Sequence, residues 1–218
     1  MPSIGQPSTT VGQTGRLLRI IGWVRDAYKD IQRDQNTWRW MDAEFAGQTI
    51  SGTAEYSASG MGINERFSRW VFGGEGEANL FTIYKTETGQ SDEGLLTFVD
   101  WPYFRRHLMV GGEATRQGKP IYVIVDNTDK LRLWPIPDAA YTIRGQYHKA
   151  PQKLATDADI PEMPEEFHDA IKWRALWKLG VFDEAFEQIP AWNAEYSNLL
   201  SQLRLSQTPS ISLNGPLA

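Results

Sequence analysis

At 218 residues, with 41% hydrophobic and 12% aromatic content, the chain is long enough for one sizeable core or a core carrying an inserted module, and too apolar for bulk disorder. A formal charge of -5 argues against a surface that holds nucleic acid by neutralising phosphates, so any contact with DNA is expected to be passing. The absence of cysteine removes disulfides, thiolate nucleophiles and thiolate metal sites together and fits a reducing cytoplasm.

MPSIGQPSTT has neither the basic region nor the apolar run of a signal peptide, and no stretch nears the ~18 apolar residues of a membrane span. Residues 1–13, uncharged and holding Pro2, Gly5, Pro7 and Gly12, read as a flexible lead. Leu17, Ile20, Ile21, Val24, Ala27, Tyr28 and Ile31 then recur at i, i+3, i+4 spacing opposite Arg16, Arg25, Asp26, Lys29, Asp30 and Arg33, which predicts an amphipathic helix over 14–36. Trp38, Trp40, Phe45 and Ile50 follow among short polar residues, and with Ser51 and Gly52 as a turn into 53–56 a β-hairpin is expected.

Glycines break the apolar runs between 57 and 118, so short strands and long loops are expected there. Asp100 is placed to cap a short helix containing Phe104 and Leu108, with Pro102 tolerated in its first turn. The runs 120–125, 131–134 and 141–149 predict a three-stranded meander with a turn at 126–129. In the last run, alternation puts Tyr141, Ile143, Gly145 and Tyr147 on one face and Thr142, Arg144, Gln146 and His148 on the other.

Beyond an acidic linker, Pro164 with Glu165 and Glu166 opens a helix expected to stop at Gly180. Its apolar residues, among them Phe167, Ile171, Trp173, Leu176 and Trp177, spread over more than one face and so require deep burial or two different neighbours. A last helix carries Ile189, Trp192, Tyr196, Leu199, Leu200 and Leu203 in register, with Pro190 near its start. The uncharged tail 206–218, with Ile211 and Leu213 alternating with serine, has the form of a peptide that adds to another chain's sheet edge or groove. The fold class is α+β: a small helical bundle from the N- and C-terminal helices (14–36 plus 160–205) with an inserted antiparallel β-rich module (37–159).

Site chemistry is sparse. The loop at 73–77 is glycine-rich but lacks the Lys-Ser/Thr that grips phosphate, and Glu75 and Glu77 repel it. His107, His148 and His168 have no ligand partner at metal spacing, Glu165, Glu166 and Asp169 suit an acidic first turn, and Asp157 and Asp159 suit a solvated turn better than a calcium loop. No G-x-S-x-G elbow occurs. No catalytic, cofactor-binding or metal-binding residue is therefore assigned. Trp38, Trp40, Trp70, Trp101 and Trp134 cluster in the β region, where tryptophan more often fills a core or a protein interface than a sugar-binding face, and Trp173 and Trp177 follow the same logic.

LRLWPIPDAAYTIRGQYHKAPQKL at 131–154, a short acidic linker, and MPEEFHDAIKWRALWKLG at 163–180 together resemble the small head-to-tail adaptor proteins of tailed bacteriophages, and the likeness extends from the helix at Leu17 to that at Tyr196. The resemblance implies a non-enzymatic, cofactor-free structural virion protein at the head–tail junction, assembled in the host cytoplasm without membrane contact. It further implies a homo-oligomeric ring of twelve subunits beneath the portal protein, extending the channel through which DNA passes during ejection without specific binding, and seating tail or nozzle proteins. On that reading Trp173, Trp177, Trp192, Tyr196, Ile211 and Leu213 lie at a subunit or portal interface. The alternative is a carbohydrate-binding or tail-associated β module using the β-region tryptophans; a glycan-binding monomer would favour it, a large ring the adaptor. A hydrolase has no support beyond abundant Asp and Glu.

Overall fold

The apolar stripe from Leu17 to Ile31 forms helix α1, Gly15–Asp34, and buries Ala27, Tyr28, Ile31 and Gln32. In the computed structural model residues 9–73 and 81–207 are described, and the chain divides into two units, Met1–Trp40 with Pro151–Ala218 and Met41–Ala150. The tail residues Ile211 and Leu213 and the glycine-rich loop residues 74–77 lie outside the described residues. The architecture is α+β, with helix α2 at Trp101–His107, α3 at Asp169–Phe182 and α4 at Ile189–Gln207.

In the helical unit α1 packs on α3 and α3 on α4. Two buried side chains strap the segment after residue 150 to α1. The Gln32 carboxamide accepts from the Gln152 amide at 2.6 Å and donates to its carbonyl at 3.1 Å, while the Tyr28 hydroxyl bonds the Gln152 side chain at 2.8 Å and accepts from the Glu162 amide at 2.9 Å. In the last turn of α1, where carbonyls run out of intrahelical donors, the Ile31 carbonyl also accepts from the fully buried Trp38 indole at 2.9 Å, and Trp38 stacks on Trp40 at 4.6 Å. Ahead of α1, where a flexible lead was expected, the Thr10 amide donates to Asp157 at 2.7 Å; this bond and that of the Thr10 hydroxyl hold the carboxyl of Asp157 below its ordinary range.

Pro164 does not begin the following helix. It precedes a 3-10 turn at Glu165–Phe167, and α3 starts at Asp169. Gly180 does not end it either. Helix α3 runs on to Phe182, and Gly180 is buried inside it because the ring of Trp192 from α4 lies against its backbone: a Cβ there would stand 2.7 Å from that ring and 3.1 Å from Ile189. The turn closes instead with the Asp183 amide on the Leu179 carbonyl at 2.8 Å and the Ala185 amide on the Gly180 carbonyl at 2.9 Å.

The β unit holds strands β1 (Asp42–Gln48), β2 (Glu55–Tyr56), β3 (Phe67–Val71), β4 (Thr82–Lys85), β5 (Gly94–Leu95), β6 (Thr97–Phe98), β7 (Tyr122–Val125), β8 (Leu131–Trp134) and β9 (Tyr141–Lys149). They make two sheets, β1-β9-β4-β5, with β3 also on β9, and β2-β8-β7-β6. Two sequence expectations fail here. The hairpin over 38–56 is absent: β1 pairs with β9 (Asp42 opposite His148) and β2 with β8, in different sheets. The meander over 120–149 is only a β7–β8 hairpin, because β9 leaves to become the central strand of the other sheet. Among the named strands of the described residues the pairing is antiparallel except for the short parallel match of β6 with β7.

The core lies between the sheets, where Phe45, Ile83 and Ile143 of one meet Val123, Leu131 and Leu133 of the other around the fully buried Phe81. Phe81 fits only because β9 carries Gly145, where a Cβ would stand 2.9 Å from three atoms of its ring. Helix α2, capped as expected by the Asp100 carboxylate on the Tyr103 amide at 2.9 Å, buries Phe104 and Leu108 against Ile124 and Trp134.

Burial, reinforced by donation of the hydroxyl to Asp138 at 2.7 Å, pushes the Tyr141 phenol up to about 12. A folded value above the ordinary ~10 means that the protonated form is favoured by folding, so the contribution is complete below pH ~10 and is lost as pH rises toward the folded value. The β unit is expected to lose up to about 2 kcal/mol over that window, and Tyr141→Phe to flatten the dependence, in denaturant melts at successive alkaline pH values.

Candidate functional site

His148, His168, Asp169 and Asp159 are engaged in structure. His148 is buried and its Nδ1 pairs with Asp42 at 2.7 Å; the His168 Nε2 pairs with the Met163 carbonyl at 3.0 Å; Asp169 pairs with Lys172 at 2.9 Å. Asp159 accepts from the Ala155 and Thr156 amides at 2.6 and 2.7 Å, which pulls its carboxyl below the usual range. Among the described residues no group of three His, Asp or Glu side chains converges to hold a metal ion, and no helix is long and apolar enough to cross a membrane.

The β-region tryptophans do not form a sugar platform. Trp38, Trp70 and Trp134 are buried and Trp40 is half-buried, leaving Trp101 as the exposed one of the five. The Trp70 and Trp134 indoles donate to the Asp129 and Glu113 carbonyls, each at 2.8 Å, as buried indoles require.

The aromatics expected at an interface lie on helices α3 and α4, where Trp173, Trp177, Trp192 and Tyr196 are all half-buried. The guanidinium of Arg174 sits 4.7 Å from the Trp177 ring and 5.3 Å from the Tyr196 ring. It is fixed there by Asp30 of α1 at 3.1 Å, which also holds Lys178 at 3.0 Å. Lys172 lies 4.7 Å from the Trp173 ring, and burial pushes the Tyr196 phenol above its ordinary value. Helix α3 carries apolar residues on more than one face, between Lys172, Arg174 and Lys178, and buries Ala170, Ile171 and Gly180. Cations thus lie on the Trp173, Trp177 and Tyr196 rings, each half covered by its own chain.

A second feature was not anticipated. Between α1 and α3 lies an apolar groove of about 370 Å³, walled by Ile20, Trp23 and Val24 on one side and Ile171, Ala175 and Leu179 on the other. The sequence carried its signal in the first half of α1: the stripe Leu17, Ile20, Ile21 and Val24 is apolar, yet each stays half-buried. Over residues 8–217 the chain is similar to the family described as SU10 adaptor protein. No curated protein matches it.

Proposed function

The chain belongs to the SU10 adaptor protein family, a family of structural head–tail adaptors of phages, and from that premise we propose that its copies close into a ring beneath the portal, extend the DNA channel and seat tail proteins. Twelve copies, a non-enzymatic role and a place at the head–tail junction belong to the same reading. The observation that carries it is the α3–α4 aromatic face, where Trp173, Trp177, Trp192 and Tyr196 are only half covered by their own chain. A helix with apolar residues on more than one face calls for neighbours on more than one side, and a ring gives each subunit two.

DNA crosses such a ring without being gripped, since a chain of charge -5 has no excess of cations with which to neutralise phosphates. Ile211 and Leu213 belong to the proposed contact with the portal or a neighbouring copy, on the support of their alternation in an uncharged tail.

Replacing Trp173 and Trp177 together by alanine tests the reading. Because both rings are half-exposed, the monomer is expected to lose well under the ~3–5 kcal/mol of a fully buried Trp per site, while assembly measured by light scattering falls away. Full assembly of the double variant would contradict it.

A further inference from the structure

On the β unit, α2 turns Phe104 and Leu108 inward and leaves Trp101 (45% exposed), Tyr103 (41%), Arg105, Arg106 and His107 on the outside. Arg105 reaches only the Met109 carbonyl at 3.5 Å, and Arg106 has no ion-pair partner among the described residues. On a chain of net charge -5 this is a basic patch studded with exposed aromatic rings. Trp, Tyr and Arg are the residue types that anchor protein interfaces. Two arginines without an ion pair are far fewer than the several phosphate contacts on which DNA binding depends.

The helical unit carries a surface of complementary character. The turn from α3 to α4 exposes Phe186 (64%) with Glu184 and Glu187 on either side, and neither carboxylate has an ion-pair partner among the described residues. Glu184 is also conformationally anomalous. It occupies the position just past the helix end at φ 55, in the left-handed region, where glycine or asparagine is favoured and a glutamate is strained. The strain projects a charged side chain at a position where its removal to glycine would relax the backbone.

We infer that α2 of one copy docks on the α3–α4 turn of the next, with Arg105 and Arg106 facing Glu184 and Glu187 and Phe186 seated against Tyr103, which shares the face of Arg106. The contact is heterologous, joining two different patches, the kind of contact from which a ring is built when the rotation between copies closes. This inference rests on the proposed assembly of copies and names the surfaces that meet within it.

The absence of native cysteine makes the test specific. Differently tagged copies carrying Arg106→Cys and Glu187→Cys are mixed, alone and with portal rings, and treated with a short bis-maleimide. Covalent dimers between unlike copies, without Arg106→Cys homodimers, are the expected result. In parallel, Arg105→Glu with Arg106→Glu is expected to abolish assembly, and adding Glu184→Arg with Glu187→Arg to restore it; circular dichroism confirms that each variant folds. If wild-type copies assemble but no unlike dimers form, or if the Arg105→Glu, Arg106→Glu variant assembles as wild type, this contact is wrong and the ring reading stands. If wild-type copies do not assemble even with portal present, both fall.

Discussion

Trp38→Ala is expected to cost the helical unit about 3–5 kcal/mol, the range for removing a fully buried aromatic side chain and leaving a cavity. Two further losses compound it. The Ile31 carbonyl in the last turn of α1 loses its 2.9 Å donor, and Trp40 loses the ring on which it stacks at 4.6 Å. Trp38→Phe separates these contributions in part, because it keeps one aromatic ring and removes the donor with part of the indole volume; it should recover part of the loss and fall short by more than the ~1 kcal/mol of the missing hydrogen bond. Urea melts followed by far-UV circular dichroism measure both. A Trp38→Ala variant within about 1 kcal/mol of wild type would show that the indole is not part of the core of this unit.

Gly180→Leu should be the most damaging change in the α3–α4 pair. A Cβ already stands 2.7 Å from the Trp192 ring and 3.1 Å from Ile189, and a leucine adds three more carbons to space that does not exist. Gly→Ala in an open helix interior would stabilise, by up to about 1 kcal/mol. Here overpacking dominates, and the expected loss is about 3 kcal/mol, at the upper end for inserted volume. The compensating change Trp192→Ala, which clears the space, should restore part of the stability of the Gly180→Leu chain. Assembly should fail in both, because the ring of Trp192 is one of the four that make up the aromatic face. Gly180→Leu at wild-type stability would mean that the two helices are not packed through this glycine.

Local signals were legible in the sequence and non-local ones were not. The spacing of Leu17 to Ile31 specifies α1, and Asp100 followed by Pro102 specifies the capped start of α2, because both depend on residues within a turn or two of each other. Alternation along 141–149 identified the faces of β9 but not its partners. Its neighbours β1 and β4 come from about a hundred and about sixty residues earlier, and period-two patterning carries no information on which strand pairs with which. That is why the expected hairpin and meander are both replaced by strands divided between two sheets. Gly180 was misread for a related reason: a lone glycine near the end of a helical pattern reads as a stop, whereas its requirement is set by Trp192, twelve residues away on another helix.

The candidate site divides along the same line. Trp173, Trp177, Trp192 and Tyr196 are recognisable from residue type and helical spacing. Their half-exposure is not, since a helix with apolar residues on more than one face is compatible with deep burial as well as with a shared surface. Tryptophans of the β region look alike in sequence and diverge in the fold, with Trp70 and Trp134 in the core and Trp101 on the surface. The strain at Glu184 and the unpaired arginines of α2 have no sequence signature at all, because they depend on backbone angle and on which charges fail to meet.

The central claim is that copies of this chain close into a ring on the portal. Mass determination of the wild-type protein by light scattering or native mass spectrometry, alone and after mixing with purified portal rings, tests it most directly. Twelve copies of 24.7 kDa predict one discrete species of about 300 kDa, free or added to the portal as a unit. A protein that stays at 24.7 kDa in both conditions and leaves the mass of the portal unchanged would contradict the account.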